Sequence, residues 1–380
     1  MISTSSMNGS DSLKSTLKGS LYTDPAVFER EKKYIFSKSW ILVGYEYEVA
    51  ETGQYIRTNV EGENIIIVRG KDRILHAFHN VCRHRGASLC QASSGKIGVI
   101  QCPYHSWSYG LDGTLVGVPN ARECRQKLVK NEKFGLVRVS VATWHGLIWL
   151  NLSDDPCPVE KQLNPEIMER FGELDTFSRY GIENLRVAHR EEYDVAANWK
   201  ILIENFQECY HCSTIHPELT RTIPEFRTGV GTQNEIGRGG KFNQTYEAFS
   251  LSGKGTRPRI KTLLPEDDRL YYGITMVPNA FINLTPDHVI IHRLIPVSVE
   301  KSKVICDWLF EPEQMAKPEF DPMDAVNLFH RVNQQDFAAC EWCQENMKSK
   351  VYQNGGFLVP LEQHVTRFYD YVLEAIGMKA

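Results

Sequence analysis

No stretch of this 380-residue chain carries the roughly 18 to 20 consecutive apolar residues that a membrane-crossing helix needs. Nor is there a surplus of one charge. The chain has 43 Lys and Arg against 47 Asp and Glu, a formal net charge of -4. No general basic field exists to gather nucleic acid or an anionic bilayer. Residues Met1 to Ser20 are rich in Ser, Gly and Lys and lack the apolar run of an export signal, so they read as a disordered tail. Without export the expected location is cytoplasmic, where the ten cysteines stay reduced and serve as thiols or metal ligands. Glycine-rich stretches at Gly229-Val230-Gly231 and Gly237 to Gly240 do not sit in the strand–turn–helix context of a dinucleotide or phosphate loop. A nicotinamide that drives chemistry here must be bound by another protein.

What remains is a chain too long for one comfortable core, and one to three domains is the expectation. After the tail (1–20), residues 21–40 open at Asp24-Pro25 and space their apolar side chains like one helix face. Residues 41–155 change to short strands: Asn64 to Arg69, Leu75 to Phe78, Val99 to Cys102 and Leu147 to Leu150, punctuated by Gly- and Asp-containing turns. That is a small all-β module. Ser153 to Pro158 reads as a linker into a mixed region, 156–380, with helical patterns at about Met323 to Lys348 and Glu362 to Ile376.

Two Cys/His pairs lie in the β module, Cys82-Arg83-His84 and Cys102-Pro103-Tyr104-His105. In each, one thiolate and one imidazole are close enough for adjacent loop tips to point at one centre. A [2Fe–2S] cluster with two Cys on one iron and two His on the other fits that supply. A structural Cys2His2 zinc site uses the same ligand types, but it usually pairs Cys with Cys and His with His along the chain. Alternation within each pair disfavours zinc. Arg85-Gly86, Pro103 and Trp107 suit loops that shield sulfides and offer them backbone donors. Cys90, Cys124, Cys157, Cys209, Cys212 and Cys306 show no partner arrangement. Cys340 and Cys343 fall in a helical pattern and read as buried thiols.

A second group sits between Asn198 and Pro217. Trp199, Leu202, Ile203 and Phe206 mark a helix face, and Glu208-Cys209-Tyr210-His211 and His216-Pro217 follow it. Two histidines five residues apart, across a helix end broken before Pro217, can converge on one metal. Two imidazoles and a carboxylate would leave three octahedral positions open for O2 and water. Alone, the pair is a weak signal, and such spacing more often marks surface or capping histidines than a metal site.

The string His79-Asn80-Val81-Cys82-Arg83-His84-Arg85-Gly86, followed by Cys102-Pro103-Tyr104-His105-Ser106-Trp107, resembles the Rieske motif of ring-hydroxylating and related oxygenases. The run from Asn198-Trp199-Lys200 through Glu208-Cys209-Tyr210-His211 to His216-Pro217 is similar to the mononuclear-iron motif of the same family. The resemblance spans about residues 20 to 375. It implies an α+β chain, with an all-β Rieske [2Fe–2S] domain inserted into the N-terminal part of a helix-grip catalytic domain. Cys82 and Cys102 would hold the inner iron of the cluster, and His84 and His105 the outer one. His211 and His216 would hold a mononuclear Fe(II), with the third ligand on the C-terminal helix. Gln335-Asp336-Phe337 resembles the family's ligand-bearing segment, which assigns Asp336, with Glu341 and Asp324 as runners-up. A homotrimer and a separate NAD(P)H-dependent ferredoxin or flavin reductase are the implied partners, with O2 as co-substrate.

Glu208 decides the branch. In the aromatic-hydroxylating enzymes an Asp stands three residues before the first iron histidine and bridges to a cluster histidine of the next subunit. Glu within Glu208-Cys209-Tyr210-His211-Cys212 resembles the quaternary-ammonium branch instead: glycine betaine monooxygenase, stachydrine demethylase and carnitine monooxygenase. The implied reaction is O2-dependent hydroxylation of an N-methyl group, leading to N-demethylation. Arene hydroxylation, O-demethylation by the same architecture, and pure Rieske electron transfer are the alternatives. By position only, Tyr271, Tyr272, Phe281 and Trp308 are candidates for a cation cage. Arg293 or Arg269 could meet a substrate carboxylate.

Overall fold

The Ile-rich run at Asn64 to Val68 has few helix formers and a β-branched side chain at nearly every position, so its natural place is a strand covered on both faces. The computed structural model, which describes residues 13–121, 124–129, 131–229, 231, 235–255 and 257–378, puts it there. Its first sheet holds seven strands: β1 Ile41–Tyr45, β2 Gln54–Val60, β3 Glu63–Arg69, β4 Leu75–His79, β5 Ser94–Lys96, and later β9 Arg138–Trp144 and β10 Leu147–Asn151. Their spatial order is β1-β10-β9-β4-β3-β2-β5, antiparallel at each pairing. A small three-stranded sheet of β6 Ile100–Gln101, β7 Ser108–Tyr109 and β8 Leu115–Gly117 stands beside it.

Beyond the irregular residues 152–158, helix α2 Val159–Phe171 leads into a second antiparallel sheet. Its strands are β11 Arg186–Val195, β12 Gly240–Lys241, β13 Leu270–Met276, β14 Ala280–Leu284, β15 Val289–Ser298 and β16 Lys301–Phe310, in the order β11-β16-β15-β14-β13-β12. Helix α1 Pro25–Glu31 precedes both sheets in the chain. Helix α3 Trp199–Phe206, the short helices α4 Cys212–Ile215 and α5 Pro217–Thr222, the 24-residue helix α6 Met323–Asn346 and helix α7 Gln363–Ala375 pack with the second sheet. The α+β architecture is thus as the sequence implies. The two sheets are joined by side chains gripping backbone: the Asn279 amide bonds both Leu42 N and Leu42 O, at 2.9 and 3.0 Å, and Tyr45 donates to Asp307 at 2.7 Å.

Two expectations need correction. Residues 1–12 of the expected tail lie outside the described residues, but from Lys14 onward the segment is ordered. Lys14–Ser15 pairs antiparallel with Phe357–Leu358, and Leu17 is buried in the main core. The apolar pair Leu17 and Leu21, hidden in a polar stretch, is the reason. The helix at 21–40 is also shorter: Pro25–Glu31 is α-helical, capped by the Asp24 carboxylate on Ala26 N at 2.8 Å, and a π turn at Lys32–Phe36 follows.

Candidate metal centres and active-site chamber

The two Cys/His loops have matching hydrogen-bond frames. Cys82 N donates to Ala87 O at 2.8 Å and Gly86 N to Cys82 O at 3.0 Å. Cys102 N donates to Trp107 O at 2.8 Å and Ser106 N to Cys102 O at 3.0 Å. Each loop is closed at its base, by the Val81/Ser88 bridge and the Gln101/Ser108 pair. Each turn needs a left-handed residue at the same place: Gly86 has φ +74° and Ser106 φ +56°. Gly meets that demand without steric cost, which is why the first loop carries it.

Burial sorts the four side chains. Both sulfurs are inside, with Cys82 and Cys102 each 2% exposed, whereas His84 and His105 stand exposed at the tips. The imidazoles meet edge to face with centroids 4.7 Å apart, and the Trp107 indole stacks on His84 at 5.0 Å. Tyr109 lies 3.5 Å from Cys82 Sγ and accepts Arg83 N at 3.1 Å. Two buried thiols below two exposed imidazoles fit a cluster whose outer iron sits at the molecular edge. A tight zinc site would want all four donors converging within one small sphere.

The second centre is assembled by three elements. Asn198 caps α3, its side-chain oxygen accepting Lys200 N at 3.0 Å while its amide holds Val299 O at 2.7 Å. The helix ends at Phe206, the chain turns through Glu208 to Tyr210, and a single helical turn, Cys212–Ile215, separates His211 from His216. Pro217 starts a new helix at its first position, so His216 falls at a break with its side chain turned inward. Asp336 is presented from the middle of α6.

Asp336 Oδ1 lies 3.2 Å from His211 Nε2 and 2.8 Å from His216 Nε2. Neighbouring ligands on an octahedral ion with bonds of about 2.1 Å are separated by about 3.0 Å. These spacings are those of an octahedral edge. The other ring nitrogens are fixed from behind: His216 Nδ1 donates to Gln335 Oε1 at 2.8 Å, and His211 Nδ1 binds Glu208 Oε1. That leaves both Nε2 atoms free to face the carboxylate, the outer-shell arrangement that orients metal-bound imidazoles. Burial disfavours charge on His211, but Asp336 and Glu208 outweigh it and raise its pKa to about 10. Burial likewise works against Asp336, and the two histidines overcome it and hold the carboxyl well below its usual range.

The other candidates are committed elsewhere. Glu341 accepts Ala196 N at 2.9 Å, and Asp324 pairs with Arg257 at 2.6 Å. Arg293 binds Val43 O and Asp307, and Arg269 binds Asn243 O. Cys209 and Cys212 form a disulfide, against the expectation that every cysteine is a thiol or a ligand; one tight turn brings their Cα atoms to 4.9 Å. Cys212 Sγ is 3.9 Å from His211 Nε2 and would group with both histidines, yet as a disulfide sulfur it has no thiolate to offer. Asp336 is the better third donor. Cys340 is buried as expected, whereas Cys343 is exposed.

A chamber of about 70 Å³ adjoins the triad, walled by Phe206, Phe226, Tyr271, Phe329 and Val332. Of the four aromatic candidates only Tyr271 lines it. Phe281 stands behind, stacked on Phe206 at 4.1 Å; Tyr272 packs on Phe171; Trp308 is fully buried in the core. Sequence reasoning missed Phe226, Phe329 and Gln335. The phenylalanines come from segments carrying no motif; Gln335 adjoins Asp336 and was within reach of the question of what orients His216.

Comparison with known proteins places both regions of the chain in known families. Residues 182–378 match the model of the ring hydroxylating alpha subunit (catalytic domain), and residues 39–139 that of the Rieske [2Fe-2S] domain. The chain is 30% identical to the glycine betaine monooxygenase oxygenase subunit of Chromohalobacter salexigens, covering 92% of this chain and 83% of the relative. It is 32% identical to the carnitine monooxygenase oxygenase subunit of Acinetobacter pittii, over 90% of this chain and 88% of that one. Among solved structures it resembles the quaternary ammonium Rieske monooxygenase CntA in complex with L-carnitine, with a TM-score of 0.73, 27% identity and 96% of each chain covered.

Proposed function

The chain belongs to the ring-hydroxylating alpha-subunit family of Rieske non-haem iron oxygenases, and we propose that it hydroxylates an N-methyl carbon of a quaternary ammonium compound. In balance, O2, two electrons and two protons turn one N-methyl C–H into C–OH and release a water. The carbinol then breaks its C–N bond, giving formaldehyde, a proton and the demethylated amine. When bound, the cluster supplies single electrons and the mononuclear iron supplies the O2 chemistry. Cys82, Cys102, His84 and His105 are assigned to the cluster, and His211, His216 and Asp336 to the mononuclear iron.

The observation that carries this reading is the aromatic wall beside Asp336. Phe206, Phe226, Tyr271 and Phe329 line a small, mostly apolar chamber. A trimethylammonium group is favoured there by ring quadrupoles, by about 2 kcal/mol or more when desolvated.

Glu208 fixes the His211 ring, and Gln335 fixes His216. The exposed tips His84 and His105 supply a surface on which Glu208 of a second copy can close a bridge, in keeping with the inter-subunit electron transfer named for CntA. A trimer and a separate NAD(P)H-dependent reductase complete the proposed system, since this sequence has no dinucleotide loop of its own.

The test is a substrate screen with a reconstituted reductase, reading formaldehyde and peroxide. O2-dependent formaldehyde release from betaines is the expected outcome. Diol formation from arenes, with no formaldehyde from any quaternary amine, would overturn the assignment.

A further inference from the structure

The chamber at the triad is too small for a whole betaine, so the remainder of the molecule needs a second space. A cavity of about 360 Å³ lies next to it, between α2, β13 and α7. Gln207 and Gly273 line both spaces and form the waist between them. A Cβ at Gly273 would approach the Tyr271 hydroxyl to 3.1 Å, so the absence of a side chain there keeps the waist open.

Three buried polar atoms on this cavity have no hydrogen-bond partner among the described residues: Arg170 Nε, Gln207 Oε1 and Thr275 Oγ1. Buried polar groups are normally satisfied, so three orphans among the side chains that line one space mark its wall as incompletely satisfied. Arg170 is the informative one. It is 6% exposed, among the described residues its terminal nitrogens reach only the carbonyls of Glu235 and Arg238, and its guanidinium stands over the Tyr272 ring at 5.0 Å. No carboxylate pairs with it among the described residues, whereas Glu166 and Glu169 on the same cavity are both held by Arg367. Burial lowers the Arg170 pKa only to about 10, so it stays charged at neutral pH. Burial raises the pKa of the Tyr271 hydroxyl, with Arg170 lowering it and Asp336 raising it.

We infer that this cavity is the anion subsite of the substrate: Arg170, helped by Thr275, receives the carboxylate of a zwitterion whose methylated nitrogen lies in the aromatic chamber. The inference rests on the proposed function and narrows it. A buried uncompensated guanidinium selects a carboxylated quaternary ammonium over one with a neutral head. The substrate threads the Gln207/Gly273 waist, with its cationic end at Phe206 and Tyr271 and its anionic end at Arg170.

The test uses the holoenzyme and two probes, γ-butyrobetaine and choline, in wild type, Arg170→Gln, Arg170→Lys and Thr275→Val. Calorimetric binding is read beside turnover. In Arg170→Gln, affinity for γ-butyrobetaine should fall at least tenfold relative to that for choline, the scale of a lost charged hydrogen bond. Arg170→Lys should recover part of that ratio. Equal losses for both probes, or no loss, would overturn the subsite. If Arg170→Gln does not fold, Thr275→Val decides: a several-fold loss confined to γ-butyrobetaine supports the subsite, and an unchanged ratio removes it. Arg170-dependent binding without turnover of any quaternary amine would retire the function and keep the subsite. Turnover of both probes with an Arg170-independent ratio would do the reverse.

Discussion

At the scale of single residues, the protein spends its buried charges in two ways. Around Asp336 the acid and the imidazoles support one another, and that mutual support is the geometry of a metal site. Behind it, Glu204 on α3 is enclosed with the Tyr22 hydroxyl at 2.7 Å, and burial raises its pKa to about 8 from 4.5. The native state therefore holds this proton more tightly than the unfolded chain. The stabilising effect of the neutral carboxyl is full below about pH 4.5, declines as pH rises, and is gone above about pH 8. Thermal melts of the Glu204→Gln variant should lack this component, so its melting temperature should fall less than that of wild type between pH 5 and 8. Parallel pH profiles for the two proteins would show that Glu204 ionises normally.

At the scale of elements, helix α3, which leads into the histidine segment, is anchored to the N-terminal helix by a fully buried ion pair. Lys200 Nζ and Glu31 Oε1 are 2.6 Å apart with both side chains at 0% exposure, and Trp199 Nε1 donates to Glu31 Oε2 at 2.8 Å. Removing one partner leaves a charge stranded in the core, at a cost of about 3 to 5 kcal/mol. Denaturant unfolding of Lys200→Met should show a loss of that order, and the double variant Lys200→Met, Glu31→Gln should recover part of it. A Lys200→Met protein as stable as wild type would mean that the pair is dispensable. The elements themselves were readable where one physical signal dominates: a β-branched run marks β3, a short apolar run marks β10, and helical apolar spacing marks α6 and α7. The π turn at Lys32–Phe36 and the pairing of Lys14–Ser15 with Phe357–Leu358 were not, because each depends on contacts more than a hundred residues away or on packing against a formed core.

At the scale of the molecule, the cluster loops and the triad lie in different sheets, and the tips of the loops are exposed. Exposed His84 and His105 have a use if a second copy covers them. Mixing chains that each lack one centre tests this. His211→Ala keeps the cluster loops, His105→Ala keeps the triad, and each homogeneous protein should be inactive. Co-assembled from equal amounts into closed cyclic trimers, the mixture should regain about a quarter of wild-type activity, since one interface in four then joins an intact donor to an intact acceptor. An inactive mixture with verified co-assembly would place the working pair of centres within one chain.

What the sequence determined by itself was the chemistry. The proposed ligands Cys82, His84, Cys102, His105, His211 and His216 are legible because metal sites need particular donor types at short, fixed spacing, and short spacing survives in one dimension. Asp336, 120 residues further on, was reachable only through the family resemblance of its segment; the structure sets its carboxylate against both imidazoles. The tertiary structure alone decided what surrounds the chemistry. Phe226 and Phe329 reach the chamber from separate elements, Cys209 and Cys212 close on each other across one turn, and Arg170 is set facing a cavity without a carboxylate partner. None of these leaves a mark in the sequence, because a wall, a turn and an uncompensated charge are properties of which distant residues meet, and only the packed chain specifies that.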